Sequence, residues 1–101
     1  MGQRQKLRDE QVRARLTALE GWQFDGAKLS RSFRFADFAD AFAFMAKMAA
    51  VSERKNHHPD WCNVYNSVSV NLSTHDVGGV TELDLEWAQV ANDTYRKLAQ
   101  G

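Results

Sequence analysis

Three histidines, His57, His58 and His75, fall between positions 57 and 75, beside the only proline, Pro59, and the only cysteine, Cys62. Glu53 precedes the histidine pair by four residues and Asp84 follows His75. Histidine titrates near neutral pH, so it can both give and take a proton there. Several histidines with a carboxylate nearby suit a reaction whose main demand is proton transfer, such as a dehydration or a tautomerisation. Metal binding is the competing chemistry. Adjacent histidines in extended chain point to opposite sides, and the spacing is not that of paired helical ligands. A His, His, Asp metal site is conceivable but not diagnosed by this spacing. Cys62 falls in a strand pattern and reads as core filler rather than a nucleophile.

Each of these residues also has a purely structural reading. His57 could cap helix carbonyls, and His75 could bond backbone in a loop. Asp84 could be a helix-cap partner. Glu53 could be a solvated helix charge, and Trp61 could be ordinary core. From spacing alone the catalytic and structural readings stand close to balanced.

The elements that must position these groups are legible in the pattern. Residues 1–6 are polar and basic and are expected to fray. A first helix is expected over Arg8–Leu19, with Leu7, Val12, Leu16 and Leu19 close to one side and Gly21 as its stop. Trp22 and Phe24 alternate as a strand, and Asp25-Gly26 signals a hairpin turn. Leu29, Phe33 and Phe35 share one parity on the returning strand, which Arg31 interrupts.

Asp37 is expected to cap a second helix over Phe38 to about Lys55, with Asp40 in the capping-box position. That helix carries two apolar stripes: Phe38, Phe42, Met45, Ala46, Ala49 and Ser52 on one side, and Phe44, Met48 and Val51 on the other. A surface helix of a monomer needs one. The expectation is therefore a homo-oligomer that uses the Phe44, Met48 and Val51 face.

Pro59 disfavours helix at His58, so the helix must end before the histidine pair. A strand over Asp60–Val64 and a turn near Tyr65-Asn66 follow. Ser67–Ser73 then alternates strictly, with Val68, Val70 and Leu72 toward a core. Thr74–Val80 is a loop containing Gly78-Gly79. Thr81 and Asp84 form an acidic capping box for a last helix marked by Leu85, Ala88, Ala91, Tyr95 and Leu98. The order αββαββα yields an α+β fold: a single antiparallel four-stranded sheet covered on one face by helices.

The chain's 101 residues support one domain over 1–101. At 44% hydrophobic and 26% charged it reads as globular. Thirteen basic residues balance thirteen acidic ones, which argues against direct binding to a nucleic-acid backbone. No apolar run approaches the ~18–20 residues of a membrane span. No secretory signal is visible either, so a cytoplasmic location is expected. One cysteine excludes an internal disulfide and a Cys-based zinc knuckle.

The stretch Glu53-Arg54-Lys55-Asn56-His57-His58-Pro59-Asp60-Trp61 closely resembles the signature of the pterin-4a-carbinolamine dehydratases, also known as dimerization cofactor of a homeodomain transcription factor. The resemblance continues through Leu72-Ser73-Thr74-His75, the loop Asp76–Val80, and Thr81-Glu82-Leu83-Asp84, and covers roughly residues 7–98. Cys62 departs from the aromatic or larger apolar residue that many relatives carry, which bears on packing.

The resemblance implies dehydration of 4a-hydroxytetrahydropterin to quinonoid dihydropterin and water, recycling the pterin used by aromatic amino acid hydroxylases such as phenylalanine hydroxylase. It implies no metal and no cofactor other than the pterin substrate, and assembly as homodimers or homotetramers through the second helix and the sheet edges. By position it makes His57, His58, His75 and Asp84 active-site residues. Glu53 would then orient His57, Trp61 would line the pocket, and Asp84 would hold a histidine or bind the pterin's amide and amino edge. Two other roles stay open: a non-enzymatic dimerization module, and a pterin-linked function in a molybdopterin context.

Overall fold

The computed structural model describes residues 4–100; the fraying expected at residues 1–3 lies outside them. In chain order it forms α1 (Asp9–Leu16), β1 (Gln23–Phe24), β2 (Leu29–Arg34), α2 (Phe38–Lys55), β3 (Asp60–Val64), β4 (Ser67–Leu72), a 3-10 turn (His75–Val77) and α3 (Glu82–Gln100). The four strands make one antiparallel sheet in the order β1-β2-β4-β3. The α+β class and the αββαββα order are as the pattern requires.

Strict alternation along β4 sets the register. Val68, Val70 and Leu72 are buried against the helices, and Phe33 of β2 pairs with Val68 while Leu29 pairs with Leu72. The intervening pairs Ser30–Asn71 and Ser32–Ser69 occupy the opposite, polar face. A one-residue slip would exchange these faces, so the core fixes the register. Cys62 of β3 pairs with Ser69 and is exposed on that polar face, which corrects its reading as core filler: Trp61 and Asn63, paired with Val70 and Val68, take the helix-facing positions of the strand.

α1 is shorter than expected. Regular helix stops at Leu16, and Ala18 and Leu19 continue in tight turns whose N–H groups bond the carbonyls of Arg15 and Leu16. Gly21, at φ +86, completes the reversal, and the turns deliver Leu19 and Trp22 to the core. The β1–β2 hairpin is closed by Asp25, whose Oδ1 accepts the N–H groups of Ala27 and Lys28 at 2.8 Å each. Those bonds, the Lys28 amide foremost, hold the Asp25 carboxyl at a pKa of about 2.

Arg31, the charged interruption on β2, has a packing role. Its guanidinium donates to the Glu20 carbonyl (2.6 Å) and to Asn92 Oδ1 (2.7 Å), and lies over the rings of Phe33 and Tyr95. It also covers Gly21, where a Cβ would come within 2.6 Å of Arg31 Nε. Asn92 Oδ1 accepts the Trp22 indole N–H as well, so α3, β2 and the end of α1 share one polar node.

α2 begins as expected, with Asp37 Oδ1 accepting the Asp40 N–H at 2.9 Å. Its two apolar stripes are assigned the other way round from the sequence expectation. Phe44 and Met48 are fully buried and Val51 nearly so, together with Ala41 and Ser52. Phe38 and Phe42 are 47% and 56% exposed. Phe44 enters the core because Phe33 and Phe35 lie 4.8 and 5.3 Å from its ring. Ser52 follows it inward because its Oγ accepts the indole N–H of buried Trp87 at 2.9 Å. The face free to meet a second copy is therefore that of Phe38 and Phe42, whose rings stand 5.7 Å apart, and not that of Phe44, Met48 and Val51. Among the described residues no helix is long and apolar enough to cross a membrane.

Candidate active site

Antiparallel pairing gathers the histidines. Asp60 at the start of β3 pairs with Asn71 near the end of β4. His57 and His58, just before β3, and His75, just after β4, therefore meet at one end of the sheet.

The end of α2 is shaped to release the histidine pair. Asn56 takes a left-handed conformation (φ 50), its N–H bonds the Glu53 carbonyl, and the His57 N–H bonds the Ser52 carbonyl at 3.0 Å. This is the paired closure of a Schellman motif with asparagine in the position usually held by glycine. Pro59 then keeps His58 out of helix. Asn56→Val is expected to cost about 1–2 kcal/mol in denaturant unfolding, because a branched side chain resists the left-handed region, whereas Asn56→Gly is expected to be close to neutral. Equal stability of the two variants would show that the left-handed turn is not required.

His57 is 6% exposed and Asp84 is fully buried. Their Nε2 and Oδ1 atoms are 2.5 Å apart. Asp84 Oδ2 accepts the Thr74 hydroxyl and the Thr81 backbone N–H, both at 2.9 Å. Thr81 Oγ1 in turn accepts the Leu83 N–H at 3.2 Å, so the capping box at the start of α3 is formed as the sequence pattern requires. Cap partner and histidine partner are thus the same carboxylate. Both Asp84 oxygens are occupied inside the protein, one of them by the histidine. An ionised carboxylate only accepts, so with Asp84 in that form His57 would donate from Nε2 and leave Nδ1 as the ring's second nitrogen.

Glu53 pairs with the other histidine. Its Oε2 lies 2.6 Å from His58 Nε2, at an exposed position, whereas the sequence reading directed it to His57. The reason is the left-handed turn at Asn56, which carries His57 inward and leaves His58 beside the last turn of the helix. His75 is exposed on the 3-10 turn. His58 and His75 line one cleft with Lys28, Asp60, Asn71 and Ser73. The sheltered part measures about 60 Å³, the share of roughly two waters.

Trp61 does not line this cleft. It packs half-buried on the helix side of β3, edge-to-face with Trp87 at 6.0 Å, because it pairs with Val70 in the core-facing register. Among the described residues no group of three His, Cys, Asp or Glu side chains converges as a metal-binding cluster would. Sequence reasoning passed over two residues of the site, Asn56 and Thr74. Asn56 carried a signal, standing after Arg54-Lys55 and shortly before a proline, which is how helices commonly end. Thr74 carried none beyond its place next to His75.

The fold and site define a small α+β domain whose histidines collect at the β3–β4 end of an antiparallel sheet, one of them fixed on a buried aspartate. Residues 5–94 match the family described as pterin 4 alpha carbinolamine dehydratase. The chain belongs to that family. A relative from Afipia carboxidovorans, provisionally named pterin-4-alpha-carbinolamine dehydratase, is 51% identical over 89 residues, spanning 86% of this chain and 89% of the relative. One from Prochlorococcus marinus (strain MIT 9515), named in the same way, is 43% identical over 91 residues, spanning 90% and 95%. The crystal structure of a transcriptional coactivator/pterin dehydratase from Brucella melitensis is 45% identical and superposes with a TM-score of 0.87, covering 90% of this chain and 99% of that one.

Proposed function

We propose that this protein dehydrates pterin-4a-carbinolamine, 4a-hydroxytetrahydrobiopterin, to quinonoid dihydropterin and water by histidine acid–base catalysis. In doing so it would return the pterin to aromatic amino acid hydroxylases. The observation that carries this reading is the buried His57–Asp84 pair next in the chain to His58, which with His75 lines a cleft. In the reaction the C4a–O bond breaks, the hydroxyl leaves as water with one added proton, N5 loses its proton, and a C4a–N5 double bond forms. Two proton-transfer groups suffice, and no electron is exchanged. His57 and His75 are assigned these transfers, one protonating the departing hydroxyl and the other accepting the N5 proton. His58, steadied by Glu53, orients and hydrogen-bonds the pterin. Asp84 holds His57 in one tautomer.

The test is an assay of 4a-carbinolamine dehydration with the purified protein. No acceleration over the uncatalysed rate would refute the reading. Support comes from the family match over residues 5–94 and from the names of the relatives. A cytoplasmic site of action fits this substrate, and the neutral charge balance fits a small-molecule reaction better than nucleic-acid binding.

A second role, as an interaction module, is favoured by one observation: the exposed aromatic pair on α2. We assign homodimer or homotetramer formation to the Phe38 and Phe42 face, with the β3 edge as a second contact. Burying a phenylalanine is worth roughly 1.5–3 kcal/mol. Phe38→Ser with Phe42→Ser is therefore expected to weaken self-association by at least about tenfold in sedimentation equilibrium. An unchanged assembly would remove this face from the interface.

A further inference from the structure

The segment before α1 reaches the histidine cluster from outside it. Arg4 donates from Nη2 to the Asn56 carbonyl at 3.2 Å and from Nη1 to Asp76 Oδ2 at 3.4 Å. Asn56 immediately precedes His57, and Asp76 immediately follows His75. One guanidinium thus touches both histidine-bearing segments, beyond the last β3–β4 pair, Asp60–Asn71. The contacts continue along the chain. The Lys6 side chain lies over Gly79, where a Cβ would come within 2.7 Å of its Cε, and the Leu7 N–H bonds the Val80 carbonyl at 2.9 Å. Residues 4–7 form a strap laid across the His75 loop, in contrast to the fraying expected there.

The loop needs such a restraint. The 3-10 turn His75–Val77 has no buried residue. Its own anchoring is at its base, where the Thr74 N–H bonds the Gly79 carbonyl at 2.7 Å and the Thr74 hydroxyl bonds Asp84 Oδ2 at 2.9 Å. Asp84 anchors His57 from within and also holds Thr74 at the base of the loop, but the His75 ring itself has no hydrogen-bond partner among the described residues. The planar fork of arginine can serve a carbonyl and a carboxylate together, which a lysine ammonium does less well.

We propose that Arg4 is a positioning residue, tying the His57 and His75 segments to one another so that the two histidines act at a fixed separation. The functional half of this inference rests on the dehydratase reading above. The structural half does not. Acid–base catalysis is sensitive to placement, and displacement of a catalytic group by about 1 Å can cost on the order of 10²-fold. Exposed ion pairs are individually weak, so the effect belongs to local order and not to global stability.

The experiment uses the full chain with Arg4→Ala, Arg4→Lys and Asp76→Asn, read by amide hydrogen exchange, thermal unfolding and steady-state kinetics. In Arg4→Ala, exchange at Asn56 and His57 and at Val77 and Gly78 is expected to accelerate together, by about two- to fivefold, with the unfolding midpoint unmoved. kcat is expected to fall by about three- to tenfold with a smaller change in KM, because proton transfer is more sensitive to the placement of His57 and His75 than contact with the cleft wall is. Arg4→Lys should recover only part of the loss. Asp76→Asn should accelerate exchange at Val77 and Gly78 alone. Exchange unchanged at either segment in Arg4→Ala overturns the tie. Exchange raised at both with kcat unaltered overturns its catalytic meaning. If the wild-type protein fails to dehydrate the carbinolamine, the proposed function falls while the exchange data still decide whether the strap exists.

Discussion

Asp84→Asn is expected to leave the protein folded and to lower dehydration by about 10²–10⁴-fold, the range that a positioned acid–base group supplies. The geometry dictates how. Asp84 Oδ2 accepts from the Thr81 N–H and the Thr74 hydroxyl, so an asparagine must keep its carbonyl oxygen there. Its NH2 group then faces His57 Nε2, which can no longer donate and must accept. The ring proton moves to Nδ1, and the nitrogen that was free to take a proton becomes a donor. The helix cap survives, so the loss is chemical. Asp84→Ala is the contrasting case. It removes the partner of a buried histidine together with the cap, and is expected to cost about 3–5 kcal/mol. Against the ~5–15 kcal/mol that holds a typical domain together, that is a large share. Nitrogen-15 shifts of the His57 ring would show the tautomer change, and urea unfolding would separate the two variants. Full activity in Asp84→Asn would mean that the pair is structural only.

His75→Ala is the second large effect, and the cleaner one. His75 is exposed on a turn with no buried residue, so its removal should leave stability within about 0.5 kcal/mol. Dehydration is nevertheless expected to fall by about 10²–10⁴-fold. His57→Ala should lose as much rate, but it also leaves Asp84 buried without its partner and so destabilises the protein. The double variant should be little slower than either single one, because groups that act as a unit are not additive. Trp61→Phe provides the contrast: Trp61 packs on Trp87 away from the cleft, so a change in stability and not in rate is expected there. If the rate survived loss of both His57 and His75, histidine acid–base catalysis would be excluded.

The Schellman turn and the α3 capping box show how closely site and scaffold are joined. Asn56 ends α2 and thereby turns His57 inward, and Asp84 starts α3 and thereby receives it. Substitutions that weaken either helix end are expected to weaken catalysis as well, since the same atoms do both jobs.

The strand alternation at Ser67–Leu72, the helix stop ahead of Pro59, the Asp25-Gly26 hairpin and the caps at Asp37 and Thr81 were all legible in the sequence. Each depends on short-range rules: side-chain period, ring constraint, or a side chain bonding backbone a few residues away. The candidate histidines and Asp84 were legible too, as residue types crowded around a forced chain break. What lay beyond the sequence depended on long-range packing. Two apolar stripes on α2 were equally apolar, and only Phe33 of β2 and Phe35 just beyond its end drew Phe44 inward and left Phe38 and Phe42 outside. Which carboxylate meets which histidine followed from one left-handed residue, since a turn of the backbone at Asn56 sends neighbouring side chains to opposite environments. Arg4 lies far from Asn56 and Asp76 in the chain, and no local pattern announces a contact across that distance. The sequence alone thus determined the elements and the chemical groups, because those are set by local energetics. Tertiary structure decided their pairing and their exposure, because those depend on which distant surfaces exclude water together.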